Sequence, residues 1–491
     1  MGIFHATRHN FSALMMYDAV IIGNDLSSLV TALTAVRQGR KILLLADGPV
    51  PEPYAEAGYT FDVDPLPWTS LLPEETFFSA VMRDHLSGDS FRPARLQVLL
   101  PEHRIDLFTT GDDLIRDMER EFPQCSEEIR KLYALLARGN EIVEGILKKS
   151  LRNGNPYRNL LTSIRHLPAL IRERILLSLI FKRIKNNPPL MRVIDAEIRL
   201  FSSLFAGENH ALSAARVLLF PVKGIHYPWG GKQLILNELR KQFQSMGGQT
   251  RQNCSIREIS IAKQIDIELI ENNESTAVHA RYLVVSTKWE RLESLFKDGK
   301  ISKWLSKKRK IASDVYYPFT VHMGVHDRGI PESMGPNVLL IVDINKPLYS
   351  TNLIFLELSM PGDTARAPQG KRAVSATVFL TDSPLRQTDD QLRMISEQML
   401  ENLNGFLPFL KECMDILNLD KSMDISRKYQ EVVNRKYGIN RNFLTGISPF
   451  SNKSPRKNVI MNGGALFAGI GFEGEVLAGI EAAYKIAGGK P

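Results

Sequence analysis

The stretch YDAVIIGNDLSSLVTALTAVRQGRKILLLAD, residues 17–47, decides the fold of this chain. Asp18–Ile22 is almost wholly apolar, as expected of a strand that is buried on both faces in a parallel sheet. Apolar residues then recur at helical spacing over Leu26–Gln38, and Gly39 follows where a C-terminal helix cap belongs. Lys41–Leu45 is a second apolar run. The pattern predicts a β-α-β unit with two parallel strands.

The turn between the first strand and the helix departs from the usual dinucleotide-binding turn, which carries three glycines. Here the three positions are Gly23, Asp25 and Ser28. Asp25 is a favoured N-cap residue for a helix that begins at Leu26, and a capping carboxylate would sit in the anion site itself. A carboxylate about 4 Å from a phosphate costs on the order of 4 kcal/mol at an effective dielectric constant near 20. The motif therefore predicts the fold of a nucleotide site and leaves its ligand open.

The composition is typical of a folded globular protein, with 44% hydrophobic and 24% charged residues, and the length of 491 residues predicts two or three domains. Cys125, Cys254 and Cys413 are far apart in sequence and show no metal-ligand spacing, so we expect thiols in a cytoplasmic protein. No apolar run approaches the roughly 20 residues that span a bilayer. Residues 1–15 lack the pattern of a signal peptide and are predicted to be a disordered extension or a mis-assigned start.

Positive charge is concentrated in residues 148–192. This segment holds eleven basic residues and a single acid, Glu173, for a net charge of +10, whereas the whole chain carries +8. Ile171, Ile175 and Leu179 recur at helical spacing among the basic residues. The segment predicts either an interfacial helix that contacts an anionic membrane and admits an apolar substrate, or an ordinary helix with a solvated charged face. No nucleic-acid-binding motif accompanies it, so no nucleic-acid partner is expected.

Two later blocks continue the pattern of the first. Tyr227–Ile259 reads YPWGGKQLILNELRKQFQSMGGQTRQNCSIREI, which is a glycine-rich turn, an amphipathic helix, a glycine pair and a strand. YGIN at Tyr437–Asn440 precedes NVIMNGGALFAGIGFEGEVLAGIEAA at Asn458–Ala483, a strand, a glycine-rich loop and a last helix. Between them, residues 316–380 hold several β-rich runs that predict an antiparallel sheet, and Thr388–Leu403 predicts a helix. The chain is expected to leave its nucleotide-type domain and to return to it twice.

In order and spacing, the three blocks resemble the flavin-dependent oxidoreductases related to phytoene desaturase, carotenoid isomerase and retinol saturase, which are distant relatives of the amine oxidases. The blocks cover roughly a third of the chain. The resemblance implies an α/β fold with a discontinuous Rossmann-like FAD/NAD(P)-binding domain over residues 16–84, 222–299 and 432–491. It also implies an α+β substrate domain over residues 85–221 and 300–431, in which helices of the first part join an antiparallel sheet.

The resemblance further implies an extended FAD molecule, with the N-terminus of the first helix at its pyrophosphate. In the first block the expected cofactor-binding residues are Gly23, Asn24, Asp25, Leu26, Ser27, Ser28 and Asp47. In the second block they are Trp229, Gly230, Gly231 and Ile256, of which Ile256 would hold the adenine through its backbone. In the third they are Gly463, Gly464, Gly469, Ile470, Gly471 and Phe472, against the ribityl chain and the isoalloxazine. No catalytic residue is assigned, and no metal is expected because the ten histidines show no ligand-like spacing.

Two further positions depart from the family pattern. Ala46 falls where an acid should bind the adenosine ribose, and Asp47 follows one place later on the other face of the strand. Gly464 occupies the position of the acid that contacts the phosphate and ribityl region in the family. Both departures remove a polar contact with the expected cofactor.

Two hypotheses about function follow. The resemblance implies a flavin-dependent oxidoreductase that desaturates, saturates or isomerises carbon–carbon bonds of an apolar, isoprenoid or carotenoid-like substrate. Such a protein would be cytoplasmic, with peripheral contact at the inner face of the membrane. The alternative is a flavin-free binding or escort protein on the same scaffold, because Asp25, Ala46 and Gly464 replace expected cofactor-binding residues.

Overall fold

The computed structural model of the chain describes residues 16–47, 49–69, 91–107, 110–153, 167–204, 211–271, 273–286, 289–430, 433, 435–439, 447, 450 and 452–488. The expected N-terminal extension, residues 1–15, lies outside this part, as do residues 154–166 of the basic segment. The strands are β1 Met16–Ile22, β2 Ile42–Asp47, β3 Tyr54–Glu56, β4 Tyr59–Phe61, β5 Trp68–Thr69, β6 Phe91–Ala94, β7 Leu96–Leu99, β8 Arg104–Leu107, β9 Ile225–Pro228, β10 Gln249–Ile261, β11 Ile265–Glu271, β12 Glu274–Ser286, β13 Ala312–His326, β14 Asn337–Ile341, β15 Leu353–Leu358, β16 Lys371–Leu380, β17 Met414–Leu417, β18 Lys436–Ile439 and β19 Val459–Asn462. The helices are α1 Leu26–Arg37, α2 Gly111–Glu121, α3 Ser126–Asn153, α4 Leu167–Ile184, α5 Pro188–Phe201, α6 Ala211–Val217, α7 Phe220–Lys223, α8 Lys232–Ser245, α9 Trp289–Leu295, α10 Gly299–Arg309, α11 Asp389–Phe406, α12 Leu419–Tyr429 and α13 Gly471–Ile486.

Five strands form a parallel sheet in the order β10-β2-β1-β12-β19. The central strand β1 is buried along Ala19–Ile22, which explains its nearly continuous apolar sequence. Within the sheet, Ile21 of β1 lies between Leu44 of β2 and Val284 of β12. Beyond the parallel part, β10, β11 and β12 continue as an antiparallel meander. The predicted β-α-β unit and the α/β fold class are thereby confirmed.

A second sheet has the strand order β17-β13-β16-β15-β14-β7-β8, and β18 also pairs with β13. Its pairs are antiparallel except for β14 with β7. Phe319, Val321 and Met323 alternate along β13 and enter an apolar core with Leu392 of α11 and Met423 of α12. The predicted antiparallel sheet is confirmed, and its alternation follows from one face packing on these helices.

Residues 91–107 were expected to be part of a helical region, and this expectation is wrong. They form the three short strands β6, β7 and β8. β6 pairs with β9, and β7 pairs with β14, so distant parts of the chain supply the partners of these strands. Runs of four residues carry too little periodicity to distinguish a strand from a helical turn without knowledge of those partners.

The parallel strands bring separated parts of the sequence to one edge of the sheet. β1, β12 and β19 run in the same direction, so their carboxyl ends lie side by side. The turn into α1 follows β1, and the loop into α13 follows β19. This carboxyl edge is where ligands bind in open parallel sheets. Within the described residues, no helix is long and apolar enough to cross a membrane.

Helix α1 packs closely on α13. Residues 26–36 of α1 are all buried. Gly479 of α13 permits the contact, because a Cβ atom there would lie 2.6 Å from the carbonyl oxygen of Ser27 and 2.8 Å from the Cβ of Val30. The Thr31 hydroxyl donates to the Gly479 carbonyl at 3.1 Å. The contact fixes the position of α13 relative to the β-α-β unit.

We expect Gly479→Ala to lower the free energy of unfolding by about 1–3 kcal/mol, because the added methyl group overpacks the contact between α1 and α13. Gly145→Ala is the matched control, since Gly145 is exposed within α3 and no atom lies within 4 Å of an added Cβ. Alanine at that position should raise the stability by about 0.5–1 kcal/mol. Thermal unfolding followed by circular dichroism measures both midpoints, and equal midpoints for wild type and Gly479→Ala would contradict the packing argument.

Candidate functional site at the carboxyl edge of the parallel sheet

The turn between β1 and α1 keeps one required glycine. Gly23 has a φ of +155°, a backbone angle that other residues rarely adopt. Its amide donates to the Leu45 carbonyl at 3.0 Å, which ties the turn to β2. The Ser28 hydroxyl fills the space in which a Cβ of Gly23 would lie. The turn is therefore of the dinucleotide-binding type in its backbone, although only its first glycine is present.

Asp25 caps helix α1, as the sequence predicts. Its carboxylate accepts the Ser28 amide at 2.9 Å and the Ser27 hydroxyl at 3.0 Å. The hydroxyl of Ser286, at the end of β12, donates to the other carboxylate oxygen. Three donors of the chain thus stabilise a negative charge at the helix N-terminus, where a pyrophosphate would otherwise be expected.

A small cleft of about 10 Å³ opens beside this turn, at the end of β2 and the start of β10. Ala46 lines it with a methyl group, and the side chain of Asp47 lies outside the described part of the structure. Arg240 and Arg251 line the same cleft, and Arg251 is also paired with Glu271 at 3.2 Å. The cleft therefore offers positive charge to a nucleotide, whereas Ala46 offers its ribose no acid.

Ile256 lies away from the cleft. It pairs with Leu269 in the antiparallel meander, and its side chain is buried. Because β10 begins at Gln249, its first residues run beside β2, and residues 250–252 line the cleft. The contact of Ile256 with the adenine stays a prediction.

Gly230 and Gly231 form the turn into α8, and carboxylates of the chain hold this turn. The Gly230 amide donates to Asp363 at 2.9 Å, while Asp62 accepts the amide of the first α8 residue at 3.0 Å. A Cβ on Gly231 would lie 3.0 Å from an Asp62 oxygen. These contacts explain both glycines by helix capping and by close packing.

Two aromatic residues of the predicted site make contacts within the protein. The Arg92 guanidinium lies 3.6 Å from the ring centre of Trp229, a cation–π contact. The ring of Phe472 stacks on Trp68 with 5.2 Å between ring centres. Packing accounts for both side chains.

The loop of residues 463–470, which holds four of the predicted cofactor-binding residues, leads from β19 into α13. The helix begins at Gly471 and has Ile470 as its N-cap, with no side-chain hydrogen bond at the cap. Gly471 has a φ of +50°, and the carbonyl oxygen of Phe201 fills the space in which its Cβ would lie. The first amides of α13 are therefore left without a side-chain acceptor in the described residues, which suits an electron-rich ligand atom.

Glu473 fixes the start of α13 to the neighbouring helices. Its buried carboxylate accepts two hydrogen bonds from Arg216, one of them at 2.8 Å. Arg216 is 1% exposed, and it also donates to Asn140 at 2.9 Å and to Glu144 at 3.0 Å. The charge of each group is compensated, so this network holds the uncapped helix end in place.

Glu475 is a residue of this edge that the sequence did not single out. Its side chain is buried and lies against Gly464, where an added Cβ would be 2.9 Å from Glu475 Oε1. The sequence signal was available, since Glu473, Glu475 and Glu481 stand in an otherwise apolar last helix. Only the fold shows that the three carboxyl groups have different surroundings.

Four charged groups surround Glu475. Burial raises the pKa of the Glu475 carboxyl group well above its usual range, and the carboxylates of Asp25 and Asp64 raise it further. Lys436 and Lys232 act in the opposite direction. Burial also lowers the pKa of Lys436 to about 8, so this lysine remains protonated at pH 7. Its surroundings therefore favour the neutral form of the Glu475 carboxyl group.

A second cavity, of about 10 Å³, lies beside Asp64 against the second sheet. It is lined by Val63, Asp64, Pro65, Pro318, Thr320, His322, Thr377, Ile425, Ser426 and Val433. His322 Nδ1 lies 3.1 Å from the Ser375 hydroxyl, and its Nε2 has no hydrogen-bond partner in the described residues. Burial lowers the pKa of His322 to about 3, so the ring is neutral. In the same part of the chain, no group of three His, Cys, Asp or Glu side chains could hold a metal ion.

No family model matches the chain. It is 23% identical over 399 residues to the chloroplastic prolycopene isomerase of Daucus carota, and 24% identical over 393 residues to that of Arabidopsis thaliana. Each alignment covers 75% of this chain, but only 62% and 64% of the two plant proteins. The chain thus spans less than two thirds of the length of these relatives. Prolycopene isomerase 1 of an Oncidium hybrid is 22% identical, with 96% of this chain and 84% of that protein covered.

Solved structures share the whole architecture. An oxidoreductase from Methanosarcina mazei has a TM-score of 0.59 at 13% identity, covering 94% of this chain and 98% of its own. A variant of putrescine oxidase has a TM-score of 0.61 at 11% identity, with 96% and 98% covered. The chain has the fold of the amine-oxidase-related FAD oxidoreductases. The resemblance seen in the three sequence blocks is confirmed at this level.

The described residues offer contacts that an FAD molecule could use, with one alteration. The uncapped N-terminus of α13 and the cleft at Arg240 suit the two ends of an extended dinucleotide. At α1, however, Asp25 already accepts the Ser28 amide. This helix end therefore has fewer free amides for a phosphate than the helix end of a three-glycine turn. The α13 N-terminus and the cleft at Arg240 are therefore suited to FAD, whereas the α1 N-terminus, which would face the pyrophosphate, is altered by Asp25.

We expect Asp25→Asn to bind FAD roughly tenfold more tightly than wild type or better, because it removes a negative charge while the side chain still accepts the Ser28 amide. Quenching of FAD fluorescence on titration measures the dissociation constant. Asp18→Asn is the control, because it removes a carboxylate that binds the Lys41 amide at the opposite end of β1. An unchanged dissociation constant for Asp25→Asn would mean that Asp25 does not oppose the cofactor.

Proposed function

We propose that the protein is a flavin-dependent oxidoreductase that acts on carbon–carbon bonds of an apolar, isoprenoid-like substrate, with FAD as cofactor. The observation that carries this proposal is the uncapped N-terminus of α13, which lies at the carboxyl edge of a parallel sheet in an amine-oxidase-type fold. The alignment with prolycopene isomerases supports the substrate class. Desaturation, saturation and isomerisation of a polyene all take place at such bonds.

His322 lies in a small cavity beside Asp64, which is lined by five apolar and five polar residues. When bound, the flavin supplies two-electron chemistry at the substrate carbon. His322 is neutral, so it offers a ring nitrogen without placing a charge beside an apolar chain, and it does not serve as a general acid near pH 7.

We expect the purified protein, after incubation with FAD, to absorb between about 350 and 500 nm, as flavins bound to oxidoreductases do. The loaded protein, supplied with prolycopene in detergent micelles, should alter the polyene, and chromatography with absorbance detection measures this change. Protein without FAD is the control. A colourless protein that takes up no added FAD would support the alternative of a flavin-free binding or escort protein, and loaded protein that leaves the polyene unchanged would contradict the substrate class.

We further propose that α4 docks on an anionic membrane and delivers the substrate. The side chains of Ile171, Ile175 and Leu179 are 43%, 53% and 54% exposed. They lie on successive turns of the helix and therefore on one face. Arg174 and Lys182 line the same surface groove. An apolar stripe beside basic side chains is typical of helices that lie in the interface of anionic bilayers.

The charge distribution of α4 also supports docking. Glu173, the single acid of the basic segment, is buried and pairs with Arg172 at 2.7 Å. Lys182, Arg183 and Lys185 are exposed at the C-terminal end of the helix. Among the described residues of α4 and its C-terminal turn, the exposed charges are therefore positive, and each basic residue near an anionic surface contributes about 1 kcal/mol to binding.

We expect wild-type protein to co-sediment with vesicles containing phosphatidylglycerol, more weakly at high salt, and not with phosphatidylcholine vesicles. The triple variant Ile171→Ser, Ile175→Ser, Leu179→Ser should lose most of this binding. Met394→Ser is the matched control, because Met394 is a solitary side chain with 68% exposure on α11. Equal sedimentation of the triple variant and wild type would contradict docking and would leave α4 as an ordinary solvated helix.

A further inference from the structure

Glu475 is buried without the arginine partner that Glu473 and Glu357 have. Glu473 is held by Arg216, and Glu357 accepts two hydrogen bonds from Arg366. For Glu475, no hydrogen-bond donor is found among the described residues. A buried carboxyl group with a raised pKa and no arginine partner is a candidate for contact with a ligand.

The carboxyl group of Glu475 lies beside Gly464. A Cβ atom at Gly464 would be 2.9 Å from Glu475 Oε1, 3.2 Å from its Cγ and 3.4 Å from its Cδ. All three neighbours belong to the Glu475 side chain. A side chain at position 464 would therefore have to displace the Glu475 carboxyl group from the space it occupies.

We propose that Glu475 supplies, from α13, the carboxyl group that Gly464 lacks, and that it contacts the phosphate–ribityl part of the bound flavin. This inference rests on the proposed function, because it requires a flavin at the carboxyl edge of the parallel sheet. In the family the carboxyl group at this place would come from the residue at position 464. Here it would come from Glu475 on α13.

The neutral form of Glu475 suits an anionic ligand. With Glu475 protonated, the carboxylates of Asp25 and Asp64 are balanced by the ammonium groups of Lys232 and Lys436. A protonated carboxyl group can donate to a phosphate or ribityl oxygen, whereas an ionised one accepts only and would repel a phosphate. FAD affinity should consequently fall when the pH is raised far enough to remove this proton.

The test compares FAD dissociation constants from pH 6 to pH 10 by fluorescence quenching. Glu475→Ala should bind about three- to tenfold more weakly than wild type at pH 7, the loss expected for one hydrogen bond. Glu475→Gln keeps a donor and cannot ionise, so it should lack the alkaline loss of affinity that depends on Glu475. Gly464→Asp alone should weaken binding because it collides with Glu475, while Gly464→Asp combined with Glu475→Ala should recover affinity.

Glu481→Gln is the matched control. Glu481 is another buried acid of α13, but it is paired with Lys485 and does not lie beside Gly464. Its affinity for FAD should equal that of wild type. If wild type binds FAD and Glu475→Ala binds it equally well, the inference is wrong while the proposed function stands. If Glu481→Gln loses as much FAD affinity as Glu475→Ala, the inference is also wrong, because the loss would then come from a general disturbance of α13. If neither wild type nor any variant binds FAD, the proposed function fails first.

Discussion

The positive N-termini of α1 and α13 lie at one edge of the parallel sheet, and the way each helix end is satisfied governs the rest of the site. Parallel strands impose this arrangement, because β1 and β19 each lead into a helix at their carboxyl ends. Asp25 satisfies α1 from within the chain, whereas α13 has no side-chain cap. The two helix ends therefore differ in their capacity for an anion, although the strand-and-helix geometry is alike.

Buried charge at this edge is organised in compensated groups. Arg216 balances Glu473, and Arg366 balances Glu357, so these acids stabilise the packing of α13 and of the turn before α8. The group around Glu475 is different, because its charges balance only when Glu475 carries a proton. Low dielectric surroundings make such a group sensitive to any ligand that brings charge or accepts a hydrogen bond.

The glycines of the C-terminal block serve the packing of the fold as well as any cofactor. Backbone carbonyls stand where side chains of Gly471, Gly474 and Gly479 would be, namely those of Phe201, Phe467 and Ser27. These glycines are therefore needed for close approach of one backbone to another, whether or not a flavin is present. This separates the residues that maintain the scaffold from those that hold the ligand. It also explains how the fold persists in a chain whose first block has lost two of its three glycines.

The sequence by itself determined the β-α-β unit, the N-cap at Asp25, the antiparallel sheet and the fold class, because these depend on local periodicity, on capping preferences and on the order of three blocks. It misplaced residues 91–107, whose strands exist only through pairing with β9 and β14. It did not show that residues 250–252 of β10 line the cleft, because the start of that strand is set by its alignment with β2. Only the tertiary structure decided the surroundings of Glu475, since Gly464, Asp25 and Lys436 come together from distant parts of the chain. Their charges and packing, which no local pattern encodes, determine its protonation and its place at the edge of the sheet.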